Sequence, residues 1–312
     1  MKSQTRDSIR FVLDGKTCVV DDVDPNRTVL QYLREDLQRT GSKEGCAEGD
    51  CGACTVVVAE LHDGGMRYQA INSCIQFLPT LDGKALFTVE SLSAPGAPLH
   101  PAQQAMVECH GSQCGFCTPG FVMSLFALYK GGPHPGRRGV DDALAGNLCR
   151  CTGYRPIIDA AQRMYELGEH IDAGASNLLT APAGNATPDE GALAEQLRSL
   201  QSADTLVVEG AGRTYRAPSS LTALLEIAAE HPDATLLAGG TDVGLWVTKQ
   251  YRDLDDVIYV GNVAEFKQAT KTDSHLEIGA VVSLTDAFPL ILEQYPEFEE
   301  LFLRFASPPL RN

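Results

Sequence analysis

The stretch 44-EGCAEGDCGACTVVVAE-60 places three cysteines within nine residues, separated by glycine, alanine and acidic residues, and a run of valines follows at once. A disulfide cannot use all three thiols, and core packing does not require so dense a group. Gly45, Gly49 and Gly52 allow positive φ values, so the chain can wrap closely around a bound group. The stretch therefore predicts a loop that holds a metal or redox centre, followed by a strand.

The composition predicts a multidomain protein of a reducing compartment. The chain has 312 residues, 44% of them hydrophobic, and a formal net charge of −16. This length suggests two or three domains, and the negative charge argues against a nucleic-acid partner. No apolar run approaches membrane-spanning length and the N-terminus has no signal-peptide core, so we expect a cytoplasmic protein without membrane association. Ten cysteines without a secretory signal favour metal or redox chemistry over disulfides.

The spacing of the first four cysteines is typical of a [2Fe–2S] site. Cys46-x4-Cys51-x2-Cys54, with Cys74 later in the chain, is the plant-type ferredoxin pattern. Two irons that share two sulfides need four thiolates on different sides, and loop amides can then point at the sulfurs. A structural zinc site is the alternative, but zinc usually takes its cysteines as two short pairs, whereas this pattern is three plus one. The spacing favours iron–sulfur.

The residues around this loop predict a small mixed sheet that clasps one helix. Asp14-Gly15 is a pair that a two-residue hairpin turn prefers, and Thr28 is a candidate helix N-cap. In order, we expect a hairpin over 8–20, a helix over 28–36, the cysteine loop, a strand over 55–60 and another strand ending near 74.

A second set of four cysteines lies where helices are expected to begin or end. Cys114-x2-Cys117 and Cys149-x-Cys151 supply four thiols from two loops. Two short pairs are also a zinc pattern, so the spacing alone leaves zinc and iron–sulfur equally open. The neighbouring site favours iron–sulfur, because an electron carrier is useful when it can pass electrons to another. Helices are predicted over 101–109, 119–130, 141–147 and 156–167, which together make a four-helix bundle.

The last third of the chain predicts a linker and then a strand–turn–helix unit. Residues 171–191 are rich in Ala, Gly, Pro, Asn and Thr, a linker composition. We expect regular structure again as a strand pair over 205–218 and a helix over 219–232. An apolar strand then enters Gly239-Gly240-Thr241, where consecutive amides would suit a pyrophosphate. The turn alone does not decide this, because paired glycines occur in many loops.

Three motifs carry a resemblance to a known family: 41-GSKEGCAEGDCGACTV-56, 111-GSQCGFCTPGFVMS-124 and 146-GNLCRCTGYRPI-157. They resemble the iron–sulfur half of the molybdenum hydroxylase (xanthine oxidase) family. Within that family the chain is most similar to the small iron–sulfur/FAD subunits of bacterial xanthine dehydrogenases, over essentially its whole length.

The resemblance implies an α+β multidomain fold and two [2Fe–2S] clusters. It implies a β-grasp ferredoxin-like domain over 1–90, a four-helix cluster domain over 91–168, a linker over 169–204 and the first part of an α+β FAD-binding domain over 205–312. The implied ligands are Cys46, Cys51, Cys54 and Cys74 for the first cluster, and Cys114, Cys117, Cys149 and Cys151 for the second. Gln113 and Cys151 match positions that approach the pterin, with a loop-stabilising amide as the equal alternative for Gln113.

The resemblance also implies flavin-contacting residues in the last third. They are Leu236, Leu237, Ala238, Gly239, Gly240, Thr241, Asp242 and Val243, together with Phe305 of 305-FASPPLRN-312. Trp246 is expected in the core. In the family this last motif continues into a second glycine-rich flavin segment, whereas the sequence stops at Asn312. We therefore expect a truncated FAD domain, which puts FAD binding by the chain as given in doubt.

Together these parts predict an electron relay. The resemblance implies a partner subunit that carries molybdopterin, a heterotetramer of two small and two large subunits, and NAD⁺ as acceptor during oxidation of hypoxanthine and xanthine to urate. We expect no catalytic base or nucleophile in this chain, and we expect His62, His100, His110 and His134 to be solvated. The alternatives are a related hydroxylase acting on aldehydes, carbon monoxide or N-heterocycles, and a zinc-stapled scaffold without redox activity.

Overall fold

The structure, a computed structural model, describes residues 4–93, 96–171, 177–183 and 187–312. Within these ranges the strands form two five-stranded sheets and one two-stranded sheet, with helices packed against them. The elements fall into three units along the chain, so the predicted α+β multidomain fold is confirmed.

The first unit is a mixed sheet with one short helix. The chain begins with β1 Thr5–Arg6, and the elements of the first unit follow: β2 Ile9–Leu13, β3 Lys16–Val20, α1 Val29–Gln31, β4 Thr55–His62, β5 Gly65–Asn72 and β6 Ala85–Phe87. The sheet order is β3-β2-β6-β4-β5, with β2 and β6 parallel. Asp14 and Gly15 have φ values of 50° and 72°, as the predicted hairpin turn requires. Thr28 caps α1 as predicted, and a π-helical segment continues it over Tyr32–Asp36.

The second unit is helical. Its helices are α2 Pro101–Glu108, α3 Thr118–Gly131, α4 Gly136–Ala143 and α5 Arg155–Glu169. Three of the four predicted helices are confirmed, but the helix predicted over 141–147 is misplaced, because α4 begins at Gly136 and ends at Ala143. The chain turns after Ala143, and the Asn147 side chain then bonds to the Gly52 carbonyl of the first unit.

One apolar core joins these two units. Val57 and Phe87 from the sheet pack with Phe121, Phe126 and Met164 from the helices. The rings of Phe87 and Phe126 have centroids 5.7 Å apart. Burying one side chain of this size stabilises the folded state by about 1.5–3 kcal/mol. The shared core therefore holds the two units together as the core of one domain would.

The stretch interpreted as a linker contains a helix that the sequence analysis missed. Helix α6 spans Pro188–Leu200, and Thr187 caps it by accepting a hydrogen bond from the Glu190 N–H. Leu193, Leu197 and Leu200 recur at helical spacing and are buried against the shared core. The linker prediction is therefore wrong for this part, and residues 172–176 and 184–186 lie outside the described ranges. The domain boundaries themselves stay a prediction.

The third unit contains the second sheet. Its elements are β7 Thr205–Gly210, β8 Arg213–Ala217, α7 Leu221–Glu230, β9 Thr235–Leu237, α8 Val243–Thr248, β10 Asp256–Tyr259, β11 Ala269–Lys271, β12 Leu276–Ile278, α9 Leu284–Leu292, α10 Glu299–Arg304 and α11 Pro308–Arg311. The sheet order is β1-β7-β8-β10-β9, so the first strand of the chain joins the third unit. The predicted strand pair and helix of this unit are confirmed. In the described part of the chain, no helix is long and apolar enough to cross a membrane.

Candidate functional site

The first cysteine loop directs its amides at a sulfur atom. Gly49 and Gly52 have φ values of 77° and 68°, which glycine adopts without steric cost, so the loop can turn tightly. The N–H of Cys51 donates to the Sγ of Cys46 at 3.4 Å. A hydrogen bond from the Cys74 thiol, aided by loop amides, lowers the pKa of Cys46 to about 3. The loop therefore stabilises a thiolate.

Cys74 brings a fourth thiol to this loop from beyond the end of β5. Its thiol contacts those of Cys46 and Cys54, and Cys46 also contacts Cys51. The Ser73 hydroxyl donates to the carbonyl of Cys54 at 2.6 Å and so fixes the approach of the two segments. The structure thus links the four predicted ligands of the first cluster through three pairwise contacts.

The second set of cysteines meets across two loops of the helical unit. Cys114 contacts Cys151, and Cys117 contacts Cys149, so each predicted pair faces the other. Burial, together with the contact to Cys149, raises the pKa of Cys117 to about 12. Cys114 and Cys151 are exposed whereas Cys149 is buried, which leaves one side of this site open.

The donor sets fit the predicted clusters. All ten cysteines lie in the described ranges, and each is a free thiol. Among the described residues, no group of three or more His, Cys, Asp or Glu side chains is gathered closely enough for a single metal ion. Each site instead offers four thiols in contacting pairs, and four cysteine thiolates are the donor set of a [2Fe–2S] cluster.

The two cysteine loops touch each other through the backbone and one buried amide. The N–H of Leu148 donates to the carbonyl of Cys51 at 3.0 Å, which joins the residue before Cys149 to a cysteine of the first loop. The Asn147 side chain is 3% exposed; it donates to the Gly52 carbonyl at 3.1 Å and accepts from the Ser124 hydroxyl at 2.6 Å. The sequence analysis missed Asn147, although a polar residue inside a ligand motif could have signalled it.

The glycine turn predicted to bind flavin lies against the segment that follows Cys74, the fourth thiol of the first site. Gly240 has a φ of 78°, and α8 begins three residues later. A Cβ on Gly244 would overlap the carbonyl group of Ile75, the residue that follows Cys74. Glycine at this position therefore lets the turn approach the first site to within backbone contact.

The predicted flavin residues are largely accessible. Leu237 is buried, and the others in the turn are exposed or half-buried: Leu236, Ala238, Gly239, Gly240, Thr241, Asp242 and Val243. Phe305 is 54% exposed and lies before α11, where the Arg311 Nε donates to its carbonyl at 3.1 Å. Arg311 also pairs with Asp142 at 2.7 Å, which fixes this segment to the helical unit.

The prediction of a solvated His100 is wrong. His100 is fully buried and caps α2: its Nδ1 accepts from the Ala102 N–H at 3.0 Å, and its Nε2 lies 2.9 Å from the Leu179 carbonyl. Burial lowers the pKa of His100 to about 4, so the ring is neutral and its Nε2–H donates to that carbonyl. His62 and His110 are exposed, as predicted.

The remaining sequence-predicted residues lie at the edges of these sites. Gln113 is exposed beside Cys114, and its role is still a prediction. Trp246 is half-buried against the core, beneath the guanidinium of Arg252 at 4.4 Å. Cys18 and Cys109 are partly buried and pack against the two largest cores.

Three protein families match along the chain. Residues 11–76 match the 2Fe-2S iron-sulfur cluster binding domain, residues 88–162 the [2Fe-2S] binding domain, and residues 209–312 the FAD binding domain in molybdopterin dehydrogenase. The prediction of two cluster-binding domains followed by an FAD-binding domain is therefore confirmed.

Relatives match over nearly the whole chain. Xanthine dehydrogenase of Emericella nidulans is 38% identical over 90% of this chain and 23% of its own length. Aldehyde oxidase 2 of Rattus norvegicus is 33% identical over 96% of this chain and 24% of its own length. Among solved structures, quinoline 2-oxidoreductase from Pseudomonas putida 86 is 36% identical, with a TM-score of 0.45, over 51% of this chain and 93% of that chain.

The chain spans about a quarter of the length of these curated relatives. Its three matched domains account for one portion of such an enzyme, in the order clusters first and flavin last. The chain belongs to the molybdenum hydroxylase family, and its domain content is that of the family's iron–sulfur/FAD part.

Proposed function

We propose that this chain relays electrons from a molybdenum site on a partner subunit to FAD. In this proposal Cys46, Cys51, Cys54 and Cys74 hold the first [2Fe–2S] cluster, and Cys114, Cys117, Cys149 and Cys151 hold the second. The turn from Leu236 to Val243, with Phe305, contributes to the flavin site.

The observation that carries the proposal is an unbroken series of contacts between the three sites. The 3.0 Å hydrogen bond from Leu148 to Cys51 joins the two cysteine loops. On the other side of the first loop, Gly244 packs on the carbonyl of Ile75, and Lys249 forms an ion pair with Glu48 at 3.3 Å. These direct contacts fix the three sites relative to one another, so the geometry suits electron transfer between fixed centres.

The chain's own residues bind, orient and shield the centres. When bound, the clusters carry single electrons and the flavin can collect two for delivery as a hydride. Burial of Cys54 and Cys74 excludes water from the inner side of the first site, and loop amides that face Cys46 favour its thiolate form. Both effects are means by which a protein sets a cluster's potential.

We further propose that the partner docks on the open side of the second site. Cys114 and Cys151 are exposed there, and Phe116, Leu148 and Tyr154 are exposed large side chains close to them in sequence. Aromatic and aliphatic groups at a surface are typical of protein interfaces. The partner would be a molybdopterin-binding large subunit, in a cytoplasmic heterotetramer of two small and two large subunits.

For the overall reaction we propose an oxidoreductase that oxidises hypoxanthine and xanthine to urate with NAD⁺ as acceptor. The name of the Emericella nidulans relative and the presence of clusters and flavin domain on one chain support this. Relatives named aldehyde oxidase match at similar identity, so an aldehyde hydroxylase is the second candidate.

The relay is tested by metal and sulfide analysis together with EPR of the dithionite-reduced protein. We expect two distinct [2Fe–2S] signals in the parent, and replacement of Cys54 or Cys117 by alanine should each remove one of them. Alanine at Cys18 or Cys109, which the proposal leaves unliganded, is the matched control and should retain both. Stoichiometric zinc with no EPR signal would refute the relay.

Substrate and acceptor are tested in the assembled enzyme with its partner subunit. We expect NAD⁺-dependent urate formation from xanthine, with bleaching of both clusters before NAD⁺ is added. Bleaching by aldehydes but not by xanthine would support the second candidate. Reoxidation by oxygen but not by NAD⁺ would contradict the proposed acceptor.

A further inference from the structure

Three residues beside the second site form a closed ring of hydrogen bonds. The N–H of Cys149 donates to the hydroxyl of Tyr154 at 3.0 Å, and the N–H of Tyr154 donates to the Oγ1 of Thr152 at 3.2 Å. The Oγ1 of Thr152 in turn lies 3.1 Å from the Sγ of Cys149. The ring therefore begins and ends on a cysteine that we assign to the second cluster.

The ring requires an unusual backbone conformation. Tyr154 has a φ of 67°, in the left-handed region, where a bulky aromatic residue is a genuine outlier. Such conformations cost on the order of 1–3 kcal/mol and persist where the surroundings over-determine them, often at functional sites. Here the strained residue is the one whose amide and hydroxyl both take part in the ring.

The direction of the bond between Thr152 and Cys149 follows from the chemistry of the site. A cysteine that ligates iron is a thiolate and has no proton to donate. The Thr152 hydroxyl must then donate to the sulfur, while its oxygen accepts from Tyr154. Successive hydrogen bonds of this kind polarise and strengthen one another, so the Tyr154 amide makes Thr152 a better donor.

We propose that Thr152 is a positioning residue that tunes the second cluster by donating a hydrogen bond to Cys149. A donor at a ligating sulfur stabilises the more negative, reduced cluster, and therefore raises its reduction potential. Tyr154 holds both the Cys149 amide and the Thr152 oxygen, and so fixes the donor. This inference rests on the proposed function, in which Cys149 is a ligand of the second cluster.

The test is an EPR-monitored redox titration of the full protein carrying Thr152→Val. Valine has nearly the same shape but no hydroxyl. We expect the equilibrium constant for reduction of the second cluster to fall roughly tenfold. For a one-electron couple this lowers the reduction potential by about 59 mV. The first cluster, in the same molecule, should not shift.

Two matched variants complete the design. Thr152→Ser keeps the hydroxyl, so the reduction potential of its second cluster should differ from that of the parent by only a small fraction of the shift seen in Thr152→Val. Thr118→Val makes the same change beside Cys117, where the hydroxyl bonds to Ser112 at 2.7 Å, and should leave both potentials unchanged.

The outcomes separate this inference from the proposed function. Absence of [2Fe–2S] signals in the parent would overturn the function itself. Two clusters in Thr152→Val with an unmoved second potential, or an equal fall in Thr152→Ser, would overturn the tuning role. If the second cluster is lost from Thr152→Val, the variant Thr152→Ala tests the same hydroxyl with a smaller side chain. Loss of the cluster from both variants would show that the hydroxyl is needed to hold the cluster, which would also overturn the tuning role.

Discussion

Replacing Asn147 with leucine tests the contact between the two cysteine loops. The side chain makes hydrogen bonds with the Gly52 carbonyl, the Thr55 Oγ1 and the Ser124 hydroxyl, at 3.1, 3.3 and 2.6 Å. A typical hydrogen bond contributes about 1 kcal/mol net, which gives roughly 3 kcal/mol for three. Leucine returns part of this through apolar burial, so we expect a loss of about 2 kcal/mol in the free energy of unfolding.

The loss should have a specific origin. Without Asn147, the buried Ser124 hydroxyl has no acceptor, whereas the Gly52 carbonyl still accepts from Thr55 Oγ1 at 2.7 Å. The double variant Asn147→Leu/Ser124→Ala removes the orphaned hydroxyl and should recover about 1 kcal/mol relative to Asn147→Leu.

Denaturant titration of the four proteins, parent, two single variants and double variant, measures these differences. The dipolar coupling between the two reduced clusters should also weaken in Asn147→Leu, since the loops are less firmly held. An Asn147→Leu variant as stable as the parent, or a double variant no more stable than Asn147→Leu, would refute the reasoning.

Three further predictions concern buried groups outside the cysteine loops. Because the pKa of His100 is depressed in the folded protein, only the unfolded chain binds a proton there between about pH 6.5 and 4, so about 3 kcal/mol of stability should be lost as pH falls through this range. His100→Asn can still cap the helix and should flatten the dependence of Tm on pH. An unchanged dependence would contradict this prediction. Lys130 is buried and paired with Glu190 at 3.5 Å, so Lys130→Met should lower stability by about 3–5 kcal/mol, because the carboxylate then keeps only the Tyr68 hydroxyl and has no positive charge beside it. Adding Glu190→Gln should restore part of the loss in denaturant titration, and no recovery would show that the pair is not the cause. Gly244→Ala should weaken FAD binding and lower stability by about 1–3 kcal/mol through overpacking against Ile75, as isothermal binding and unfolding assays would measure. Gly191→Ala, where the added Cβ meets open space inside α6, should leave FAD binding unchanged and should not lower stability.

Features that a short stretch of sequence encodes were predictable. The turn at Asp14-Gly15 needs two consecutive positive φ values, and few residue pairs supply them. The cysteine spacings likewise predicted which thiols meet, because a cluster imposes its geometry on the segments that ligate it. Helices such as α5 show their buried face in Ile157, Ala161 and Met164, at helical spacing.

Features that depend on a distant partner were not predictable. His100 looked like a solvated residue at a helix end, yet its partner Leu179 lies far along the chain and covers it. Helix α6 was hidden because its flanks have linker composition, and its leucines become a core face only when the shared core is present. The role of Asn147 was hidden in the same way, since its side chain finds its acceptors in another unit.

The entry of β1 into the third unit's sheet affects the order in which the protein can fold during synthesis. Thr5 pairs with Thr205, so the strand's partner leaves the ribosome two hundred residues later. At about 5–20 residues per second, the strand waits about 10–40 s for that partner. The first unit can therefore form its sheet and receive its cluster while β1 is still unpaired. The pairing of β1 with β7 therefore comes after the two cluster-bearing units have been synthesised, and it fastens them to the flavin unit as that unit begins to form.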